Sequence, residues 1–410
     1  MSPPAASAVS HALTRIGKTV PKIPVLKTSS SRGALTQAAA IAAAAAPQPA
    51  ATNQGMQPST SYQALNQAAA ASSKIPRTKS FHLPKVGEAV IGHRGTGSNK
   101  GPSSSTDEGY FAGDIRENTV LAFNQAARMG ANYVELDVQV TKDGVPVVWH
   151  DDHIFFKEMD AGDAIKRHTI SELTLAEFRE LSFLATVCSQ KPTVLLRSFT
   201  RHADGPQSAA TAMLKPWVCR QEDELPTLEE VLRKVPNTVG INLELKYEFD
   251  AIGMDDSEVA RRLEIILACL ERHCDASRKV VLSSFSPDAC ILAAQRQSAY
   301  PVLFLSDSGY YTYDDARRNS LEAAYELCKD HGLNGFVLYS FVQPSQDLLD
   351  RAKRDGLVIL SYGEKNNEED FSAEQVARGI RSVIVDDVRE IHTRLSNNLT
   401  RSPSSVKISV

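Results

Sequence analysis

The chain has 410 residues, enough for two or three domains or for one large α/β barrel with extensions, and its formal net charge of −4 conceals an asymmetry. Residues 1–87 hold nine of the 45 Lys and Arg residues and none of the 49 Asp and Glu residues, so the remainder, with 36 basic against 49 acidic, stands at −13. An acidic body lacks the basic patches that nucleic-acid binding needs, no run approaches the ~18–20 apolar residues of a membrane span, and six scattered cysteines without a CxxC pair argue against structural zinc or a disulfide framework.

Residues 1–87 are rich in Ala, Ser, Thr, Gln and Pro, with an Ala-heavy run from Ala38 to Ala46. Such composition buries too little apolar surface to fold alone and predicts a disordered extension. Basic, acid-free and Ser-rich, it also fits a transit peptide, which predicts a plastid stromal protein. The alternative is an extension that is never cleaved, on a cytoplasmic protein.

The first strand is Ala89–Gly92, ending at His93-Arg94-Gly95, where an α/β barrel places its chemistry. The Gly- and Ser-rich stretch 96–113 predicts a loop. Arg116-Glu117-Asn118-Thr119 then opens a helix, with Asn118 or Thr119 as N-cap and Gly130 as its stop. Taken alone, Glu117 is a helix-start carboxylate favoured by the macrodipole.

The stretch Glu135 to Asp152 reads as a strand, a tight turn and a second strand. Glu135, Asp137, Gln139 and Thr141 share one face at period two; Leu136, Val138 and Val140 share the other. Asp143-Gly144 predicts a two-residue type I′ turn, which pairs Lys142 with Val145 and sets Asp137 opposite His150. An excursion over residues 151–236 follows, with a helix over Thr169–Leu181 and the basic residues Arg197, Arg201 and His202, read as structural. Thr227 caps a helix. In strand Val239–Lys246, Asn242, Glu244 and Lys246 share one face. Glu and Lys turned into a barrel are expensive unless paired or holding a ligand. Strands follow at Val280–Leu282, Val302–Leu305, Gly335–Leu338, Leu357–Ser361 and Ser382–Val385, with helices near 257–272, from Pro287, over Ser320–Asp330 and near 345–355. Residues 396–410 are polar, with no sign of a packed element, and read as a flexible tail.

With the hairpin's return arm set aside, strands begin near 89, 133, 239, 280, 302, 335, 357 and 382. Eight strands mostly separated by helices predict a (β/α)8 barrel over residues 88–395, carrying a hairpin and insertion after its second strand. His93, Arg94, Glu135, Asp137, Glu244 and Lys246 then gather at C-terminal strand ends, with His150 on the return arm. That combination suits phosphodiester cleavage. Three carboxylates offer hard oxygen ligands to Mg²⁺ or, alternatively, Ca²⁺. Arg94 and Lys246 add donors for the anion, and two histidines serve as acid and base near neutral pH.

Ile91-Gly92-His93-Arg94-Gly95, Glu117-Asn118-Thr119, Glu135-Leu136-Asp137-Val138, Thr141-Lys142-Asp143-Gly144, Val147-Val148-Trp149-His150-Asp151 and Leu243-Glu244-Leu245-Lys246 resemble the glycerophosphodiester phosphodiesterase family over about residues 88–392. Ser284-Phe285, Arg317-Arg318-Asn319-Ser320 and Tyr362-Gly363 resemble its plant-type branch. The resemblance implies His93 and His150 as the acid/base pair and Glu135, Asp137 and Glu244 as metal ligands. It implies Arg94 and Lys246 on the phosphate, with Glu117 orienting this shell. Tyr362 stands where many bacterial members carry Trp, as an aromatic wall against the glycerol. The implied reaction is hydrolysis of a small-molecule glycerophosphodiester, such as glycerophosphocholine, to glycerol 3-phosphate and an alcohol. A lysophospholipase D and a non-catalytic barrel that binds or scaffolds are the alternatives; no strongly apolar run near the 96–113 loop favours the former.

Overall fold

The computed structural model describes residues 89–100, 114–159, 164–182, 193–198 and 214–400. The expectations for residues 1–87, for 101–113, for Arg201 and His202 and for the tail beyond 400 lie outside them. In chain order the strands are β1 (Ala89–Gly92), β2 (Tyr133–Val140), β3 (Pro146–Val148), β4 (Ile154–Glu158), β5 (Ile165–His168), β6 (Thr193–Ser198), β7 (Leu214–Pro216), β8 (Gly240–Leu245), β9 (Val280–Ser284), β10 (Val302–Ser306), β11 (Gly335–Tyr339), β12 (Val358–Tyr362) and β13 (Ser382–Val385).

Eight of these strands close into a parallel ring, β1-β13-β12-β11-β10-β9-β8-β2, completed where β1 pairs with β2 through Ile91 with Tyr133 and Gly92 with Val134. The eight expected strands are these eight. Alternation decides what goes where. Val134, Leu136, Val138, Ile241, Leu243 and Leu245 point outward into the main core beneath the helices. The opposite parity, Ile91, Tyr133, Val281, Leu303, Val337, Leu360 and Ile384, fills the barrel interior. A Cβ on Gly240 would come within 2.3 Å of the Tyr133 ring, so glycine there lets the ring fill the barrel.

Six of the helices start on a hydroxyl cap: Thr119, Thr174, Thr227, Ser286, Ser320 and Ser345 each accept from a first-turn amide. Such a cap is worth about 1 kcal/mol. The expected helix over 169–181 is two pieces, a 3₁₀ turn Ile170–Glu172 and a helix Leu175–Glu180. Thr174 accepts from Glu177 N and restarts the helix there. A helix that the sequence reading lacks, Glu369–Arg378, ends at Gly379 with φ of 115°. The last helix, Val388–Thr400, runs five residues past 395, where a tail without packed structure was expected.

The hairpin also differs from expectation. Its ladder pairs Val138 with Val148, Gln139 with Val147 and Val140 with Pro146, so Asp137 faces Trp149, one residue short of His150. Thr141 pairs with Val145 around a three-residue loop, Lys142 to Gly144. Of those three only Gly144 is left-handed, at φ 80°, whereas a type I′ turn also needs Asp143 there. The Asp143 carboxylate instead accepts the Thr141 hydroxyl at 2.6 Å.

β4 to β7 form a separate antiparallel sheet in the order β5-β4-β6-β7. It packs onto the return arm of the hairpin through a second apolar cluster that includes Val147, Trp149, Ile154, Phe156, Phe178 and Trp217. Among the described residues, Cys219, Cys269, Cys290 and Cys328 are buried and Cys274 is half-buried, each as a thiol rather than in a disulfide.

Candidate active site

β2 and β8 run side by side in a register that sets Glu135 beside Asn242 and Asp137 beside Glu244. Strands lie about 4.8 Å apart, so inward side chains on matched residues must meet. One carboxylate oxygen from each of Glu135, Asp137 and Glu244 lies within 4.8 Å of the others, and all three residues are buried. The electrostatics show the strain of this arrangement. Burial, then the charges of Asp137 and Glu244, push the Glu135 carboxyl well above its usual range. Burial raises Glu244 to about 7 against the pull of Lys246, with Asp137 adding to the rise. Burial would lift Asp137 as well, but His150, Arg94 and Lys246 outweigh it and hold that carboxyl low. Asp137 Oδ1 is buried without a hydrogen bond, a costly state for a carboxylate oxygen.

Each histidine is backed by an aspartate. His93 follows β1 and Asp386 follows β13, and because Gly92 is paired with Val385 the two side chains meet, Nδ1 to Oδ1, at 2.8 Å. His93 Nε2 is left facing Glu135 Oε2 at 4.0 Å. His150 Nδ1 lies 2.7 Å from Asp151 Oδ1. The ladder alone would not aim His150 inward. β3 stops at Val148, and Gln139, on the inward face of β2, donates to the carbonyls of Trp149 and Asp151 at 2.9 and 3.1 Å. That clamp turns the end of the arm into the mouth. Burial, then the charges of Arg94 and Lys246, lower the His150 imidazole to about 4, so it is uncharged at neutral pH. The two imidazoles are 28% and 30% exposed over a buried carboxylate floor, so both face whatever occupies the mouth.

Arg94 and Asn118 both hold left-handed backbone, φ 47° and 58°, at roughly 1–3 kcal/mol each. Asn118 N donates to Arg94 O at 3.0 Å, so the two turns brace each other. The strain puts polar groups where they are used. Arg94 N donates to Glu135 at 2.8 Å, its guanidinium donates to Glu117 at 2.8 Å, and Asn118 Nδ2 donates to Asp137 at 2.7 Å. Glu117 also ion-pairs at 2.9 Å with Arg197, which at 2.8 Å reaches Asp151 as well. Burial opposes ionisation of Glu117, but Arg197 and Arg94 overcome it and lower its carboxyl to about 2. Lys246 Nζ lies 3.0 Å from Glu244 and 3.9 Å from Asp137. On the far side Tyr362 donates its hydroxyl to Asp307 at 2.6 Å, and burial, then Asp307, raises its pKa well above normal.

His93, Arg94, Glu117, Glu135, Asp137, His150, Glu244 and Lys246 are thus joined through one set of contacts, and Tyr362 reaches Lys246 by way of Phe285, whose ring lies 5.7 Å from that of Tyr362 and 5.9 Å from the ammonium. Sequence reasoning did not find Asp386, Asn118, Gln139, Asp151 and Arg197 as site residues. For Asp386 and Asp151 a signal existed: an acid just past a strand end, and an acid just after a site histidine. Arg197, read as structural, had none.

A closed parallel barrel whose polar groups gather beyond the C-terminal strand ends defines the class of α/β-barrel enzymes. The family model described as the glycerophosphoryl diester phosphodiesterase family matches residues 93–390. A glycerophosphodiester phosphodiesterase of Arabidopsis thaliana is 35% identical over 81% of this chain and 83% of its own length. Another from the same plant, labelled chloroplastic, is 34% identical over 74% and 79%. An Oleispira antarctica phosphodiesterase, solved with sn-glycerol-3-phosphate, shares the fold at a TM-score of 0.50 and 19% identity, over 77% of this chain and 97% of that one. The chain belongs to the glycerophosphodiester phosphodiesterase family, in its plant-type branch.

Proposed function

We propose that the protein hydrolyses glycerophosphodiesters, such as glycerophosphocholine, to sn-glycerol 3-phosphate and the free alcohol, with Glu135, Asp137 and Glu244 holding a divalent cation, Mg²⁺ first and Ca²⁺ as the alternative. The carrying observation is the carboxylate triad itself: three buried acids within 4.8 Å, one with an unbonded oxygen and another held well above its normal pKa by burial and then by its acidic neighbours. Hard oxygen donors of this kind fit Mg²⁺ or Ca²⁺. Bound there, such a cation neutralises charge on the phosphoryl oxygens and acidifies an attacking hydroxyl.

The protein groups supply the rest. Arg94 has donors beyond those used on Glu117, and Lys246 beyond the one used on Glu244, so both can hold phosphoryl oxygens. With Nδ1 donating to Asp386 or Asp151, each imidazole turns its Nε2 to the mouth. The Nε2 of the neutral ring takes a proton from the attacking hydroxyl as that oxygen bonds to phosphorus, and the Nε2 of the other, protonated ring delivers a proton to the alcohol oxygen as its P–O bond breaks. Arg197 acts at one remove, orienting Arg94 through Glu117 and His150 through Asp151.

Chelation by EDTA is expected to abolish glycerophosphocholine hydrolysis and to lower the melting temperature by several degrees, because the triad then repels itself. Added Mg²⁺ restores both. Full turnover and an unchanged melting curve in chelator would remove the cation from the site.

A further inference from the structure

Six aromatic side chains make one continuous wall along the β9–β12 side of the mouth, and it begins at Lys246. The Lys246 ammonium lies 5.9 Å from the Phe285 ring centre, and Phe285 meets Tyr362 edge-on at 5.7 Å. Tyr362 lies 5.2 Å from Tyr339, and Tyr339 lies 5.1 Å from both Phe341 and Tyr310. Tyr310 meets Tyr311 at 5.0 Å and ends the wall in solvent, 51% exposed. At its base is Asp307, half-buried, whose two carboxylate oxygens accept the hydroxyls of Tyr362 and Tyr313. No cationic side chain pairs with Asp307 among the described residues.

Ring faces carry the negative end of the aromatic quadrupole and attract cations. Phenols that donate to a carboxylate are more electron-rich, and the unpaired charge of Asp307 adds an attraction of the same sign. The wall already meets ammonium groups at both Phe285 and Phe341: besides Lys246, Lys365 Nζ lies 4.8 Å from the centre of the Phe341 ring. An acyl chain suits it less well. Hydrocarbon laid here would strip water from Asp307 and from several tyrosine hydroxyls without replacing the hydrogen bonds. An uncharged polyol gains nothing from the ring faces.

We propose that this wall and Asp307 form the subsite for a quaternary ammonium group on the diester, so that the enzyme selects substrates with a cationic alcohol. This rests on the phosphodiester-cleaving reading of the mouth and deepens it.

The test compares kcat/KM for glycerophosphocholine and for glycerophosphoglycerol in the Mg²⁺-loaded wild type, Asp307→Asn and Tyr310→Leu. The wild type is expected to prefer the choline diester by about tenfold, within what one cation–π site supplies. Tyr310→Leu brings the preference to threefold or less by raising KM for the choline diester, and leaves glycerophosphoglycerol turnover unchanged. Asp307→Asn has the same effect on the ratio. Equal wild-type rates, or a preference that survives both variants, overturn the proposal. So does a Tyr310→Leu variant that loses lysophosphatidylcholine cleavage while keeping the choline preference, which would mark the wall as an acyl site. If the wild type cleaves neither diester, the reading of the mouth fails instead. Choline titrated by calorimetry into wild type and Asp307→Asn then still decides the wall: binding lost in the variant supports it, and no wild-type binding overturns it.

Discussion

The two sides of the barrel mouth are built from the same strand geometry and opposite chemistry. On β1, β2 and β8 and just beyond them stand His93, Arg94, Glu135, Asp137, Glu244 and Lys246, of which Arg94 and the three carboxylates are buried and His93 and Lys246 half-buried. On β9 to β12 the inward positions are Val281, Ser283, Leu303, Leu305, Val337 and Leu360, topped by the rings of Phe285, Tyr339 and Tyr362. A lone buried charge costs several kcal/mol, so a fold that needs ionised groups confines them to where each has neighbours. The apolar side gives that cluster a low-dielectric boundary, which strengthens the fields within it. The charged side is suited to act on phosphate, the aromatic side to sort what is attached to it.

The largest expected break in this division comes from the histidines. His93→Ala and His150→Ala are each expected to lower kcat by on the order of 10²–10⁴ with the fold intact, as loss of a general acid or base does. A variant with near-normal kcat in either case would remove that residue from the chemistry. Next is Arg197→Ala, which cuts the tie from the β6 strand to both Glu117 and Asp151. It should lower kcat by roughly tenfold with KM little changed, and free guanidinium should restore part of the loss, as expected of a charged positioning group. A rise in KM alone would mean that Arg197 serves only packing.

A stability measurement then separates the two sides. Glu135→Gln relieves the like-charge cluster while leaving a side-chain oxygen for the Arg94 amide, so the metal-free protein should melt higher by roughly 2–4 °C and yet be inactive. The same exchange of carboxylate for amide at Asp307, on the aromatic side, should not raise the melting temperature. The smallest effect concerns pH. The folded-state pKa of His150 is lowered to about 4, below the ordinary ~6.5, so between those values the unfolded chain binds more protons. The stability due to a neutral His150 is full above about pH 6.5 and falls as pH drops towards 4. Wild type should therefore lose more stability than His150→Gln across that window in urea melts; equal losses would show that His150 titrates normally.

Much of this was legible in the chain. Eight strands and the inward side chains on β2 and β8 follow from period-two alternation, a local property that survives any tertiary arrangement. The hairpin register was not legible, because Asp143-Gly144 permits both a two-residue and a three-residue loop and the difference lies in one backbone angle at Asp143. The register actually formed would have turned His150 away from the mouth, had Gln139 not clamped the arm after the ladder ended. The helix Glu369–Arg378 was missed because its start carries no hydroxyl cap to announce it.

By itself the sequence determined which residues carry charge and which face of each strand they occupy, since both depend only on neighbours a few positions away. Only the closed barrel decided their partners. Asp386 supports His93 across 293 residues, and Arg197 joins Glu117 to Asp151 from a sheet outside the barrel. Those contacts arise from ring closure and from the seating of one sheet on another, and no local period encodes a distance between segments that meet only once the chain has folded.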